Sequence, residues 1–517
     1  MESRRARWAW GALTGVAAGA VAIGVAQLAA GILRPTASPV ITVGQAAIDA
    51  TPEWLKSWAI RTFGSNDKTV LLLGIGAVLA ILSIVLGIVS IRRPGVAMAG
   101  LVGFGILGIA AALSRPAAEL SDALPPIAGV LAAAFALRAL HRMVSPAEGG
   151  REPASEPPVL ALGELDRRRF FLTAAGAIGL AAVGGGVGTL LGRRFRADAS
   201  RAGVHIPEPV STASASAGVD LSVPNVGPFF TPNARFYRVD TALLVPSVMA
   251  EDWQLRVHGM VDREVTLDYP LLLERPLIER DVTLTCVSNE VGGRYAGNAR
   301  WIGAPLKDLL EEAGVQAGAD QIVSRSIDGF TCGSPTAVVM DGRDAMLAVA
   351  MNGEPLPLAH GFPVRMVVPG LYGYVSATKW VVDIELSTFD AFDAYWIKRG
   401  WAQQAPIKTQ SRIDTPDGRL PLEAGEVVVA GVAWAQHTGI AAVEVQVDDG
   451  PWSEAELGAE DTIDTWRQWV YRWQATPGDH LLRVRATDRS GYSQTADRAE
   501  PFPDGAEGWH TIQVHVS

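Results

Sequence analysis

The sequence predicts three regions of different fold class: an α-helical membrane region, an α+β domain, and an all-β sandwich. Three observations predict this order. Long uncharged apolar runs are confined to roughly the first 200 residues, and the rest reads as an acidic globular chain. From about residue 226, short β-like runs accompany one clear amphipathic helix. From about residue 422, short strands alternate with Gly, Asp and Pro turns.

Bulk composition narrows the function classes. Hydrophobic residues make up 49% of the 517, charged residues 19%, and the mean hydropathy is +0.20. That is too apolar for an ordinary soluble protein. The net charge of −10 argues against a nucleic-acid partner, which needs clustered Lys and Arg. Two cysteines exclude a disulfide scaffold and any Cys-rich zinc or iron–sulfur site.

Four apolar runs, at about 8–33, 70–91, 96–113 and 123–140, approach the roughly 20 residues a bilayer-spanning helix needs. A fifth runs over 170–191. Arg4, Arg5 and Arg7 precede the first span, Arg92 and Arg93 follow the second, and Arg138, Arg142, Arg151 and Arg167 to Arg169 lie between the fourth and fifth. The positive-inside bias therefore puts the N-terminus in the cytoplasm and everything after Arg194 outside it. The stretch DRRRFFLTAAGAIGLAAVGGG also resembles a twin-arginine export signal, a route for proteins already folded around a cofactor. No small-residue cleavage site stands out after it, so the expectation is a retained anchor in the cell membrane.

The expected organisation is four transmembrane helices in 1–144, a Pro/Glu/Ala-rich cytoplasmic linker in 145–166, and the signal-like fifth helix in 167–194. A flexible Ser/Ala/Pro tether over 195–225, the α+β domain over 226–414 and the sandwich over 415–517 follow. In the α+β domain, strand-like runs fall at 253–258, 281–285, 364–368 and 380–384. The helix at 304–313 puts Leu306, Leu309 and Leu310 on one face and stops at Gly314. Behind it, strands at 427–432, 440–447, 469–475, 481–487 and 511–516 suggest an immunoglobulin-like sandwich.

Chemistry centres on one cysteine. Cys286, in LTCVSNEVGG, follows a strand-like run and precedes a Gly-Gly turn. On local sequence it is a buried small hydrophobe, half of a disulfide with Cys332, a nucleophile or a metal ligand. Spacing alone pairs none of the eight histidines with it as a base.

Two stretches in order carry a resemblance. One is Thr283-Leu-Thr-Cys286-Val-Ser-Asn289, followed by Asn298-Ala-Arg-Trp301-Ile-Gly303. The other is His360-Gly-Phe-Pro-Val-Arg365-Met-Val-Val-Pro369-Gly370, followed by Lys379-Trp380. With the sandwich behind them, residues 226–517 resemble the sulfite oxidase family of molybdenum enzymes, which includes assimilatory nitrate reductases and a bacterial sulfoxide-reductase branch. The resemblance implies an α+β molybdopterin-binding domain and a molybdenum–molybdopterin cofactor whose single protein thiolate is Cys286. It implies a homodimer through the sandwich. It implies that His360, Arg365 and Lys379 hold the pterin's phosphate, and that Asn289 belongs to the ligand loop. The segment Phe229 to Thr241 resembles the one lying over the pterin, making Arg238, Asp240 and Thr241 cofactor contacts; Asp328 and Ser334 fall at further contact positions.

There are departures. Sulfite-oxidising members follow the ligand with an Arg-rich stretch; here Glu290 stands at the first of those places. Arg294 or Arg300 is then the candidate positive charge, and Tyr395 the candidate for the family's active-site tyrosine. There is no CxxCH and no histidine inside the first four spans, so no haem is expected in the chain and a separate electron carrier is required. The expected activity is two-electron oxygen-atom transfer, with sulfite or a related sulfur compound as substrate. Alternatives are reduction of sulfoxide or nitrate-like oxo-substrates, or a non-catalytic surface protein.

Overall fold

In the computed structural model, residues 4–52, 55, 58–59, 62–63, 67–115, 118–144, 162–192 and 197–517 are described. The expected linker at 145–166 lies outside these up to residue 161, as do Arg151 and Arg194. The chain forms two units, one of residues 1–196 with 242–245, the other of residues 197–241 with 246–517.

The first unit is helical. Five of its helices are long and apolar enough to cross a membrane: Trp8–Leu33, Thr69–Arg92, Pro94–Leu113, Leu120–Met143 and Arg168–Leu191. They match the five apolar runs to within a few residues. Small residues let their backbones approach. A Cβ at Gly15 would lie 1.9 Å from the Ser83 carbonyl oxygen, and one at Gly31 2.0 Å from that of Gly188. A shorter helix, Pro39–Ala50, accompanies them.

The second unit opens with two five-stranded sheets. Its strands are β1 (Gln254–Gly259), β2 (Val265–Asp268), β3 (Ile278–Thr285), β4 (Ala296–Pro305), β5 (Gln321–Ser326), β6 (Thr331–Pro335), β7 (Met346–Met351), β8 (Glu354–Pro355), β9 (Arg365–Val367) and β10 (Val381–Ser387). One sheet has the order β2-β1-β10-β5-β6, mixed because β1 runs parallel to β10. The other runs β3-β4-β7-β8, with β9 paired to β7. The helix Leu306–Ala313 starts after Pro305 rather than at residue 304, because β4 continues to that proline. Leu306, Leu309 and Leu310 are buried on its core-facing side, and Gly314 ends it at φ 72°, a left-handed turn that glycine adopts without strain. Leu310→Ala is expected to lower stability by about 2–5 kcal/mol, read as a fall in Tm.

The last strands are β11 (Gln410–Thr415), β12 (Gly425–Trp434), β13 (Ile440–Val447), β14 (Ser453–Glu454), β15 (Glu456–Leu457), β16 (Arg467–Ala475), β17 (Gly478–Asp488) and β18 (His510–Val516). They form two four-stranded antiparallel sheets, β11-β12-β16-β15 and β14-β13-β17-β18. Val429, Val443, Val445, Trp469, Leu482, Val484 and Val514 share the core of these sheets. Alternate residues of β17 point into it, as a strand with one buried face requires. Residues 197–225, expected to be a tether, run along this unit: the Val210 amide donates to the Leu277 carbonyl, and the Leu221 amide to Gln468 Oε1.

His510, opening β18, accepts a hydrogen bond from the Ile413 amide through Nδ1 at 2.9 Å. Burial, with a smaller contribution from Arg412, pushes its pKa down from 6.5 to about 4. Between these values the unfolded chain binds the proton and the folded chain does not, so stability falls as pH falls through that window. His510→Gln keeps the acceptor and removes the titration. Thermal unfolding should therefore show a flatter acid limb between about pH 6.5 and 4 than in the parent.

Candidate active site

The site is built where β3 ends. Cys286 follows the last residue of β3, and its amide donates to the Tyr295 carbonyl at 2.9 Å while its carbonyl accepts from the Asn289 amide at 3.0 Å. Asn289 organises the loop: its buried Oδ1 accepts from the Tyr295 amide at 2.7 Å. The Gly-Gly turn is explained by crowding. A Cβ at Gly293 would lie 2.6 Å from that Oδ1, and one at Gly292, at φ 76°, would lie 2.2 Å from the His510 ring. Asn289 Nδ2 is buried with no hydrogen-bond partner among the described residues.

Cys286 is partly buried and its thiol pKa is raised by desolvation, against the pull of Ser288 and Lys379. Both cysteines are free, so the disulfide reading is excluded. Cys332 is fully buried on β6, where desolvation pushes its pKa up to about 11.

Arg365, opening β9, is 5% exposed. Its guanidinium lies 5.1 Å from the centre of the Trp301 ring and reaches only backbone carbonyls, those of His360 at 3.2 Å, Ala377 at 3.4 Å and Met366 at 3.4 Å. Among the described residues, no carboxylate forms an ion pair with it. Desolvation lowers its pKa from 12.5 to about 10. Beside it, Lys379 is lowered from 10.5 to about 8, again by desolvation first, although Asp240 accepts from its Nζ at 2.9 Å. Arg238 reaches the same carboxylate at 2.7 Å. His360 is buried with its Nε2 3.0 Å from the Asn233 carbonyl, so this nitrogen carries the proton; burial and Arg365 lower its pKa to about 4.

These groups form one cluster. Tyr237 acts electrostatically on both Cys286 and Arg365, and Lys379 acts on Cys286. Tyr237 and Tyr372 are the residues the sequence reading missed. Both phenols are held protonated, and burial is the main cause. Tyr237 lay inside the quoted segment before Arg238, and Tyr372 just after Pro369-Gly370, so position relative to the motifs was the available signal.

The other sequence candidates lie elsewhere or are engaged. Thr241 follows Asp240 at a bend. Asp328 caps the turn between β5 and β6, accepting from the Phe330 amide at 3.1 Å. Ser334 Oγ donates to the Val375 carbonyl at 2.5 Å. Tyr395 sits in an aromatic group with Phe330 at 5.6 Å, under the Arg399 guanidinium at 3.6 Å. Arg294 and Glu290 are exposed on the loop that follows Cys286. Arg300 is held by both oxygens of the buried Asp281, at 2.8 and 2.7 Å.

The residues fit a molybdopterin. Among the described residues no group of three or more His, Cys, Asp or Glu could hold a metal, so a metal at a lone thiol must bring its other ligands with it. A buried guanidinium without an acid partner is the environment an anionic phosphate satisfies. The unpaired Asn289 Nδ2 is a further donor to such a group.

Comparison with known proteins agrees. Residues 242–396 match the family model described as oxidoreductase molybdopterin binding domain. The chain is 29% identical to human mitochondrial sulfite oxidase over 342 residues, covering 56% of this chain and 62% of that one. It is 33% identical over 149 residues to the uncharacterized oxidoreductase YuiH of Bacillus subtilis, covering 29% of this chain and 72% of YuiH. The crystal structure of the sulfane dehydrogenase SoxCD from Paracoccus pantotrophus matches with a TM-score of 0.49 at 23% identity, covering 56% of this chain and 84% of that one. The chain thus spans 62% of the length of the human and rat mitochondrial sulfite oxidases it matches. With a thiol-bearing loop, a buried cationic cradle and these relatives, the chain belongs to the sulfite oxidase family of molybdopterin-dependent oxidoreductases.

Proposed function

We propose that the chain is a membrane-anchored enzyme that oxidises sulfite or a related sulfur compound by two-electron oxygen-atom transfer. The observation that carries this reading is a free thiol, Cys286, at the end of β3 together with a buried guanidinium, Arg365, that reaches only backbone carbonyls and forms no ion pair among the described residues. When bound, the molybdenum cofactor supplies the exchange of an oxygen atom and two electrons.

The chain's own residues do the rest. Cys286 offers a soft thiolate, which suits a sulfur-coordinated metal. Arg365 and Lys379 bind the phosphate, His360 orients Arg365 by accepting from its guanidinium through the backbone carbonyl, and Asp240 keeps Lys379 charged despite its burial. Asn289 fixes the loop that aims the thiol. Tyr237, buried and protonated with its ring 6.2 Å from that of Tyr295, would offer a hydrogen-bond donor to a bound substrate, whereas the Tyr372 hydroxyl meets the Lys408 amide. Arg294, exposed on the ligand loop, is the charge available to draw in an anion. The charge bias of the spans supports a catalytic unit outside the cytoplasm; the resemblance to the family supports a separate electron carrier and a dimer through the sandwich.

A second reading, reduction of an uncharged sulfoxide-type substrate, is favoured by two facts: Arg300 is already neutralised by Asp281, and Glu290 is exposed near the thiol. Turnover of the purified full chain decides between them. Sulfite-dependent reduction of an artificial acceptor supports oxidation. Sulfoxide-dependent oxidation of a reduced viologen supports the second reading. Molybdenum-loaded protein active in neither assay would overturn both.

A further inference from the structure

β3 is the edge strand of its sheet, paired only with β4 within it, and its last residue abuts Cys286. An open edge leaves unpaired backbone groups. Its start is covered by residues 210–211, which bridge to Ile278 and Glu279, and its Cys286 end is closed by two loops of the sandwich, far away in sequence. The Thr283 amide donates to the Asp464 carbonyl at 2.9 Å. Thr283 Oγ1 accepts from the Trp466 amide at 2.7 Å and donates to Asn298 Oδ1 at 3.0 Å. Gln436 Nε2 donates to both the Thr283 carbonyl at 3.1 Å and Thr285 Oγ1 at 2.9 Å. Thr283, Thr285 and Gln436 are all buried, so each of these bonds is shielded from water.

We infer that the sandwich is a positioning device for the molybdenum ligand: its 436 and 464–466 loops clamp the edge of β3 and thereby fix the thiol one residue beyond Thr285. Gln436 is the central positioning residue, since its one amide nitrogen spans both sides of residue 284. The clamp gives the second domain a role in each chain by itself, independent of any partner copy. The role in ligation rests on the proposed assignment of Cys286; the clamp on the strand does not.

The experiment is amide hydrogen exchange on the full chain, with and without cofactor, together with the visible thiolate-to-metal absorption of the loaded protein. Variants are Thr283→Val, Thr283→Ser and Gln436→Leu. Thr283→Val and Gln436→Leu should speed exchange in residues 282–287 about tenfold, because each removes a buried hydrogen bond. They should also shift the absorption and lower kcat with KM held within about twofold. Thr283→Ser, which keeps the hydroxyl, should restore all three. Exchange that speeds only elsewhere, or that is unchanged in folded variants, would overturn the clamp. Faster exchange at 282–287 with unaltered absorption and kcat would overturn the positioning role. If Cys286→Ser leaves the absorption unchanged, the ligand assignment fails while the exchange result still reports on the clamp.

Discussion

Cys286→Ser is expected to lower turnover at least about 10³-fold, the scale on which loss of a reacting group acts, while leaving the cofactor bound. The two outcomes separate because the thiol and the cationic cradle are different parts of one cluster. Serine offers a hard oxygen with a much higher pKa than a thiol, so it is a poor substitute at a sulfur-coordinated metal. Arg365, Lys379 and His360 are untouched by the substitution, and the loop is held through the backbone of residue 286 and the side chain of Asn289. Steady-state rates beside pterin content measured on the same preparation check the prediction. Equal losses of pterin and activity would mean that Cys286 retains the cofactor instead of serving its metal.

Arg365→Met should act in opposite directions on the empty and the loaded protein. In the empty protein the guanidinium is buried without an acid, and its depressed pKa records the desolvation cost. Methionine fills similar space against Trp301 without charge, so apo stability should rise by about 1–3 kcal/mol. The loaded protein loses two charge-assisted hydrogen bonds of about 1.5 kcal/mol each, so cofactor retention should fall about 100-fold. Thermal scans of apo protein and pterin content after gel filtration measure the two effects. A lower apo Tm with full cofactor retention would reverse the role given to Arg365.

Much of this was legible in the sequence for physical reasons. The five long apolar helices follow from length and hydropathy alone. The Leu306–Ala313 helix follows from its leucine spacing and glycine stop. The thiol loop and the His360 to Lys379 stretch carry short-range patterns, so their residues could be named before their contacts were known. What was hidden depends on pairing across distance. That Arg300 is spent on Asp281 is a property of the β3–β4 register, in which these two residues face each other. That Arg365 has no acid partner among the described residues is a property of everything around it. Gln436 and Trp466 meet β3 across more than 150 positions of sequence, and no periodicity marks such a contact. Tyr237 and Tyr372 gain their place from folding of segments 135 residues apart. Tyr395 was named from the resemblance, as the candidate for the family's active-site tyrosine, and its packing with Phe330 and Arg399 is a contact that only the fold reveals.

The most direct test is X-ray absorption at molybdenum, with metal analysis, on the full chain and its Cys286→Ser variant from a cofactor-competent host. The account predicts about one molybdenum per chain in both, with one fewer sulfur neighbour in the variant. Parent protein without molybdenum, or the same sulfur count in both proteins, would contradict it.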